Sequence, residues 1–146
     1  MANVFDVAAY ILEHQGRMTT MKLQKLCYYS QAWRLVWADK PLFAEDIQAW
    51  ANGPVCPQLY KAYKGRFDID ATQFDRGDAS RLSEDERESI DAVLETYGSM
   101  SARQLSDLSH HEAPWADARG DLPEGERSTS IISTAAMAEY YGSFTD

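Results

Sequence analysis

The sequence predicts a mainly α-helical single domain, and three observations support this prediction. Apolar residues recur at helical spacing along most of the chain. Two helix-start patterns, Ser-x-x-Glu at Ser83 and Ser-x-x-Gln at Ser101, have the spacing of capping boxes. The chain has 146 residues, a length that suits one hydrophobic core. We therefore expect residues 1–146 to form a compact bundle of five or six helices, with room for a minor short β element.

The N-terminal part of the chain predicts two helices. Asn3 can cap the first helix, and Gly16 supplies its end. Thr19 or Thr20 caps the second helix, which extends to about Ala38. Apolar residues cover most of the circumference of this second helix, a pattern that is typical of a buried central helix.

Two lysines of the second helix lie in an unfavourable place. Lys22 and Lys25 are in its first turns, where the helix dipole disfavours cations. We therefore expect an acidic group, from this chain or from a partner, to face these two lysines.

The middle of the chain predicts extended and irregular structure around one short helix. Residues 43–51 predict an extended segment, and Gly53-Pro54 predicts a turn. A proline then opens a short helix that ends at Gly65. Residues 66–82 are polar and rich in turn formers, which predicts a surface loop with at most a short strand.

Four helical segments follow in the C-terminal half. They extend from Ser83 to Gly98, from Ser101 to about His110, from Pro114 to Ala118, and onward from Ser133, which caps the last helix. Residues 119–130, between the last two segments, are predicted to form a loop.

The helix after Ser83 carries a row of acidic residues on the side opposite its apolar stripe. This row, which we call the acidic face, consists of Glu84, Glu88, Asp91 and Glu95. Such a face is most often solvated, and a basic partner bound to it is the alternative that we retain.

The charge and the cysteines bear on partners and on cellular compartment. The chain has 14 basic and 23 acidic residues and a net charge of −9, so it repels nucleic-acid backbones and anionic lipids. We expect no direct nucleic-acid partner and no membrane partner. Cys27 and Cys56 lack metal-ligand spacing, and reduced thiols are typical of the cytoplasm. Neither a signal peptide nor an apolar run of about 18 residues is present, so we expect a cytoplasmic protein.

The common catalytic motifs are missing from the sequence. It contains no phosphate loop, dinucleotide fingerprint, nucleophile elbow or zinc-protease motif. The only local cluster of metal-ligand types is His110, His111, Glu112 and Asp117. Neighbouring residues on a helix point about 100° apart, so His110 and His111 cannot share one metal while helical. We expect no enzyme, no metal and no cofactor, and we retain a small metal-dependent enzyme built on His110 and Glu112 as an alternative.

Three motifs in the chain resemble a known family. They are Lys22-Leu23-Gln24-Lys25-Leu26, Ala49-Trp50-Ala51-Asn52-Gly53-Pro54-Val55 and His110-His111-Glu112-Ala113-Pro114-Trp115. Together, in this order and spacing, they resemble the Panacea-domain proteins, which include phage-associated GepA-like proteins and SocA-type antitoxins. The matching blocks cover nearly the whole chain.

This resemblance implies a helical domain that is encoded beside a toxin gene and neutralises the toxin by direct, stoichiometric binding. The toxins paired with the family include alarmone-synthetase-like enzymes that stop translation. One branch of the family acts instead as a proteolytic adaptor that delivers its toxin to the ClpXP protease, and this role is the main alternative.

The resemblance and the acidic face together give the candidate partner-binding residues. They are Lys22, Gln24, Lys25, Tyr28, Trp50, Glu84, Glu88, Asp91, Glu95, His110, Glu112 and Trp115. For Leu23, Gly53 and Pro114 we favour an architectural role, since apolar, turn and helix-breaking residues usually serve the fold.

Overall fold

The computed structural model describes residues 2–145 and contains seven α-helices and five short strands in that range. In chain order the elements are α1 (Val4–Gln15), β1 (Met18–Thr19), α2 (Thr20–Ala38), β2 (Ile47–Trp50), β3 (Gly53–Val55), α3 (Pro57–Tyr63), β4 (Asp68–Ile69), α4 (Glu84–Tyr97), α5 (Ala102–His110), α6 (Ala113–Arg119), β5 (Ile131–Ile132) and α7 (Thr134–Gly142). Two 3₁₀ turns, Ala79–Arg81 and Ser143–Thr145, complete the described secondary structure. The mainly helical prediction is confirmed, although the described helices number seven instead of five or six.

Helix α2 is the centre of the fold, as its apolar circumference predicts. It packs against α1, α4, α5 and α7, and side chains on all its sides are buried, among them Leu23, Leu26, Tyr29 and Ala32. The Thr19 hydroxyl caps its first turn by accepting a hydrogen bond from the Lys22 amide at 3.1 Å. The other helices therefore form a shell around one buried helix.

Side-chain caps fix where the outer helices begin. The predicted capping boxes are present at Ser83 with Glu86 and at Ser101 with Gln104, where each serine and its partner satisfy the other's backbone amide. Ser133 caps α7 through a hydrogen bond from the Ala136 amide at 3.0 Å. These starts are set by a few residues each, which is why the sequence predicts them well.

Two small antiparallel sheets join distant parts of the chain. In the larger, β2 lies between β3 and β5, with Trp50 opposite Gly53 and Ile47 opposite Ile132. In the smaller, β1 pairs with β4, which lies in the loop that the sequence predicts after α3. The larger sheet covers the N-terminal end of α2 through β3. Within residues 2–145, none of the helices is long and apolar enough to cross a membrane.

Candidate protein-binding site

A cavity of about 640 Å³ lies where the first turns of α2 meet the larger sheet. Its walls come from the start of α2, the turn between β2 and β3, α3 with the loop that follows it, and residues 127–129 before β5. We call this cavity the α2 groove. Ligand pockets in proteins typically have volumes of about 300–1,000 Å³, so the groove is large enough to hold several side chains.

Aromatic and apolar side chains line much of the groove. The rings of Trp50 and Tyr60 meet edge to face with centroids 5.2 Å apart, and Tyr60 meets Tyr63 in the same way at 5.6 Å. Phe67 is 80% exposed and Met21 is 38% exposed at the same site. Exposed aromatic side chains around a concavity are typical of protein-binding surfaces, because they bury a large area and lose little conformational freedom.

The charged side chains on the groove are all cationic. Of its described lining residues, Lys25, Arg66 and Arg127 are basic and none is acidic, although the chain as a whole carries a net charge of −9. No ion pair within residues 2–145 involves any of these three cations. The groove is therefore a local region of positive charge on an acidic protein.

Lys25 is the buried member of this cationic set. The residue is 1% exposed, and its Nζ donates a hydrogen bond to the carbonyl of Pro54 at 3.2 Å. Burial lowers the pKa of the ammonium to about 7, because apolar surroundings disfavour the charged form. The turn between β2 and β3 covers this side chain closely. A Cβ on Gly53 would lie 2.7 Å from Cε of Lys25, too close for a larger residue, and the φ of +120° also favours glycine.

Two glutamines of α2 hold the segment that carries the larger sheet. Oε1 of Gln24 accepts the Cys56 amide at 2.8 Å, and Nε2 donates to the Cys56 carbonyl at 3.1 Å. Two turns further along α2, Gln31 accepts the Leu42 amide at 2.7 Å and donates to the Phe43 carbonyl at 2.8 Å. Both glutamines are buried, and each satisfies buried backbone groups of the segment outside the helix.

The expectation of an acidic group facing the two lysines of α2 is wrong for residues 2–145. Nζ of Lys22 donates to the Gly98 carbonyl at 2.6 Å, just as that of Lys25 donates to the Pro54 carbonyl. Carbonyl dipoles thus take the place of the expected carboxylate. That an acidic group of a partner faces these two lysines stays a prediction.

Tyr28 and Glu112 belong to a buried polar centre that lies one turn further along the same side of α2 as Gln24 and Lys25. A single carboxylate oxygen of Glu112 accepts the hydroxyl of Tyr29 at 2.6 Å and that of Tyr141 at 2.8 Å. The hydroxyls of Tyr141 and Tyr28 lie 2.9 Å apart. Burial raises the pKa of Glu112, and the two tyrosine hydrogen bonds oppose this shift. The centre joins α2, α6 and α7 through hydrogen bonds in the core.

Trp115 is 5% exposed and ties α6 to its neighbours. Its ring stacks on His110 with centroids 4.1 Å apart, and its indole N–H donates to the Trp50 carbonyl at 2.7 Å. The guanidinium of Arg119 lies 4.8 Å from the centre of the same ring. Trp115 therefore packs back on α5.

The acidic face lies on α4, and its four members, Glu84, Glu88, Asp91 and Glu95, are all exposed. Asp91 also accepts a hydrogen bond from the hydroxyl of Tyr10 at 2.6 Å, which attaches α4 to α1. None of the four residues lines the α2 groove. The structure therefore separates the acidic face from the cationic groove.

The histidine cluster does not come together around a common point. His110 stacks on Trp115 and its Nδ1 lies 3.4 Å from a carboxylate oxygen of Glu124, whereas Nδ1 of His111 contacts the Asp107 carbonyl at 2.7 Å. Within the described residues, no group of three or more His, Cys, Asp and Glu side chains is placed to hold a metal ion.

Comparison with known proteins identifies the family. The family model described as "Antitoxin SocA-like, Panacea domain" matches residues 23–116. The chain belongs to this family. The curated protein "Antitoxin SocA" from Caulobacter vibrioides (strain NA1000 / CB15N) is 33% identical to the chain over 109 residues, and the match covers 67% of this chain and 58% of that relative. The chain thus matches less than two thirds of the length of that antitoxin. No solved structure matches the chain significantly.

The three motifs that suggested the SocA-like family mostly build its core in this chain. Gln24, Lys25, Tyr28, Glu112 and Trp115 are buried. The motif residues that remain at least partly accessible are Lys22, Trp50, Ala51, Asn52, His110, His111 and Ala113. Among these, Trp50, Ala51 and Asn52 line the α2 groove, so the motifs contribute one aromatic side chain to the groove and much of the support behind it.

Most of the exposed groove residues are absent from the residues predicted from sequence, among them Met21, Tyr60, Arg66, Phe67 and Arg127. Met21 precedes the first motif, Arg66 and Phe67 lie in a predicted loop, and Arg127 lies in another. The available signal was an exposed aromatic residue beside an arginine in a polar loop, which is an unusual place for phenylalanine.

Proposed function

We propose that this chain is a non-enzymatic antitoxin that neutralises the toxin encoded by the neighbouring gene by binding it stoichiometrically. The family supports an antitoxin role. The observation that carries the binding mechanism is the α2 groove, an exposed aromatic concavity on the face formed by the first and second family motifs. The cytoplasm, where thiols such as those of Cys27 and Cys56 stay reduced, is the proposed place of action.

The exposed aromatic side chains give this proposal its physical basis. Binding energy in protein interfaces is concentrated in a few aromatic and arginine side chains that become fully desolvated. Trp50, Tyr60 and Phe67 provide such anchors beside Arg66. The walls behind them are held by hydrogen bonds of Gln24 and Trp115. A partner therefore meets a surface that is already shaped, which reduces the conformational cost of binding.

The test uses the toxin that the neighbouring gene encodes. The chain is co-expressed with this toxin in cells that have or lack ClpXP, and growth is measured. Purified antitoxin and toxin are also mixed and analysed by size-exclusion chromatography with light scattering. Direct neutralisation predicts rescue in both strains and a complex of fixed stoichiometry.

A matched pair of phenylalanine variants links rescue to the groove. Phe67→Ser removes the most exposed groove side chain, and we expect loss of rescue without a change in melting temperature. Phe144→Ser is the control, because Phe144 is 55% exposed and lies outside the groove. Equal rescue by both variants contradicts binding through the groove. Rescue that disappears without ClpXP would show that the chain acts as a proteolytic adaptor instead.

A further inference from the structure

The cations of the α2 groove have unused binding capacity. The ammonium of Lys25 has three N–H donors, and its one described hydrogen bond is to the Pro54 carbonyl. Arg66 and Arg127 are exposed, and their guanidinium groups make no described hydrogen bond or ion pair within residues 2–145. The groove therefore concentrates positive charge without an internal counter-ion.

The lining around these cations is apolar and aromatic. Trp50, Tyr60 and Phe67 surround the same space that the arginines border. A ligand that complements this lining must combine a negative charge with apolar or aromatic surface. A free inorganic anion satisfies only the first requirement. A nucleic acid satisfies both, but its dense phosphate charge is repelled by a protein of net charge −9.

We propose that the α2 groove binds a short segment of the partner protein that carries a carboxylate beside an aromatic or large apolar side chain. The carboxylate pairs with Arg66 and Arg127, since a guanidinium and a carboxylate match in geometry and can form two parallel hydrogen bonds. The neighbouring side chain of that segment packs against Trp50 and Tyr60. For the toxin as partner, this assignment rests on the proposed function above.

The first experiment tests the chemistry of the groove without the toxin. The probes are N-acetyl-Trp-Glu-amide and N-acetyl-Trp-Gln-amide, which differ only in the carboxylate, titrated into ¹⁵N-labelled protein and followed by NMR. We expect the Glu peptide to shift amides at Gly65, Phe67 and Ser128, and to bind at least fivefold more tightly than the Gln peptide. Equal affinity of the two peptides overturns the proposal.

Paired charge variants locate the carboxylate. The double variant Arg66→Gln with Arg127→Gln should lose the preference for the Glu peptide and bind it about tenfold more weakly. Its control, Lys40→Gln with Arg103→Gln, removes the same charge from exposed residues outside the groove and should bind like wild type. Thermal denaturation of all variants confirms that the fold is intact. A loss of equal size in the control overturns the proposal. Inorganic phosphate or adenosine monophosphate that shifts the same amides at lower concentration than the Glu peptide also overturns it, in favour of a small anion.

The toxin then separates this inference from the proposed function. If wild type and the Arg66→Gln, Arg127→Gln variant bind the toxin with equal affinity, the groove does not hold a toxin segment, although the chain is still an antitoxin. If wild type forms no complex with the toxin, the proposed function is wrong, and the toxin is not the partner of the groove. The peptide titration then tests the chemistry of the groove independently. If wild type binds the toxin and the Arg66→Gln, Arg127→Gln variant binds it more weakly, while the control variant binds like wild type, both the proposed function and the groove assignment are supported.

Discussion

Replacing Lys25 by methionine tests how much the buried ammonium costs the fold. Methionine is similar in length and carries no charge. Burial lowers the pKa of Lys25 from 10.5 to about 7. A pKa that is roughly three to four units lower in the folded than in the unfolded state corresponds to about 5 kcal/mol of lost folding free energy at any pH where the lysine is charged in both states. The variant also leaves the Pro54 carbonyl without its donor, which costs about 1–3 kcal/mol. Below pH 7 we therefore expect Lys25→Met to be more stable than wild type by about 2–4 kcal/mol.

The pH dependence of this difference gives a sharper test than its size. Between about pH 7 and pH 10.5 the unfolded chain holds the lysine proton and the folded chain has released it, so wild-type stability rises with pH. The advantage of Lys25→Met should therefore shrink by about 2–3 kcal/mol between pH 6 and pH 9. Urea denaturation of both proteins at pH 6, 7.5 and 9 measures it. Effects of other titrating groups, such as the buried thiols, largely cancel in the difference.

A solvent-exposed lysine of the same protein supplies the control. Lys61 is exposed on α3, and Lys61→Met removes the same charge without relieving a cost of burial, so we expect no comparable gain in stability at pH 6. A stability difference for Lys25→Met that does not change between pH 6 and pH 9 would contradict a cost of burying this ammonium. A variant that is less stable than wild type at pH 6 would contradict it as well.

Three further variants test the other parts of the structure. Trp115→Ala should destabilise the domain by about 3–5 kcal/mol, seen as a lower melting temperature, and an unchanged melting temperature with lost toxin protection would show that this side chain is a binding anchor instead. Glu88→Lys with Glu95→Lys should slow association with a toxin of basic surface and weaken its salt dependence while leaving dissociation nearly unchanged, and stopped-flow rates equal to wild type at low salt would assign the acidic face to solvation alone. Burial raises the pKa of Glu112, so wild-type stability falls as pH rises through that raised value, and the stability gained by Glu112→Gln relative to wild type should increase with pH in urea titrations. Parallel stability curves for Glu112→Gln and wild type would contradict that assignment.

Local signals account for the part of the fold that the sequence predicts. The capping boxes at Ser83 and Ser101 and the apolar circumference of α2 each depend on neighbouring residues, and all three are present in the structure. Strands β1 and β5 have two residues each and pair with partners distant in the chain, so no periodic pattern can mark them.

The candidate site is less predictable for a related reason. Arg66 and Arg127 come from separate predicted loops and border one cavity only in the folded chain. The motif residues can be recognised in the sequence, but a motif does not show which of its residues are exposed and which are buried behind the surface. Gln24 illustrates this, because a polar side chain at the start of a helix suggests exposure, whereas here two hydrogen bonds to Cys56 allow it to be buried.

Gln24 and Gln31 have a consequence for the motions of the protein. Their side chains hydrogen-bond to the two ends of the segment from Leu42 to Cys56, so both ends are attached to the same helix, α2. Displacing that segment would leave several buried amide and carbonyl groups without partners at once, which is costly. Its slowest amides should therefore exchange with solvent only when α2 itself unfolds. Fluctuations near the groove are then left to residues 65–67 and 127–129, which border it outside the segment from Leu42 to Cys56.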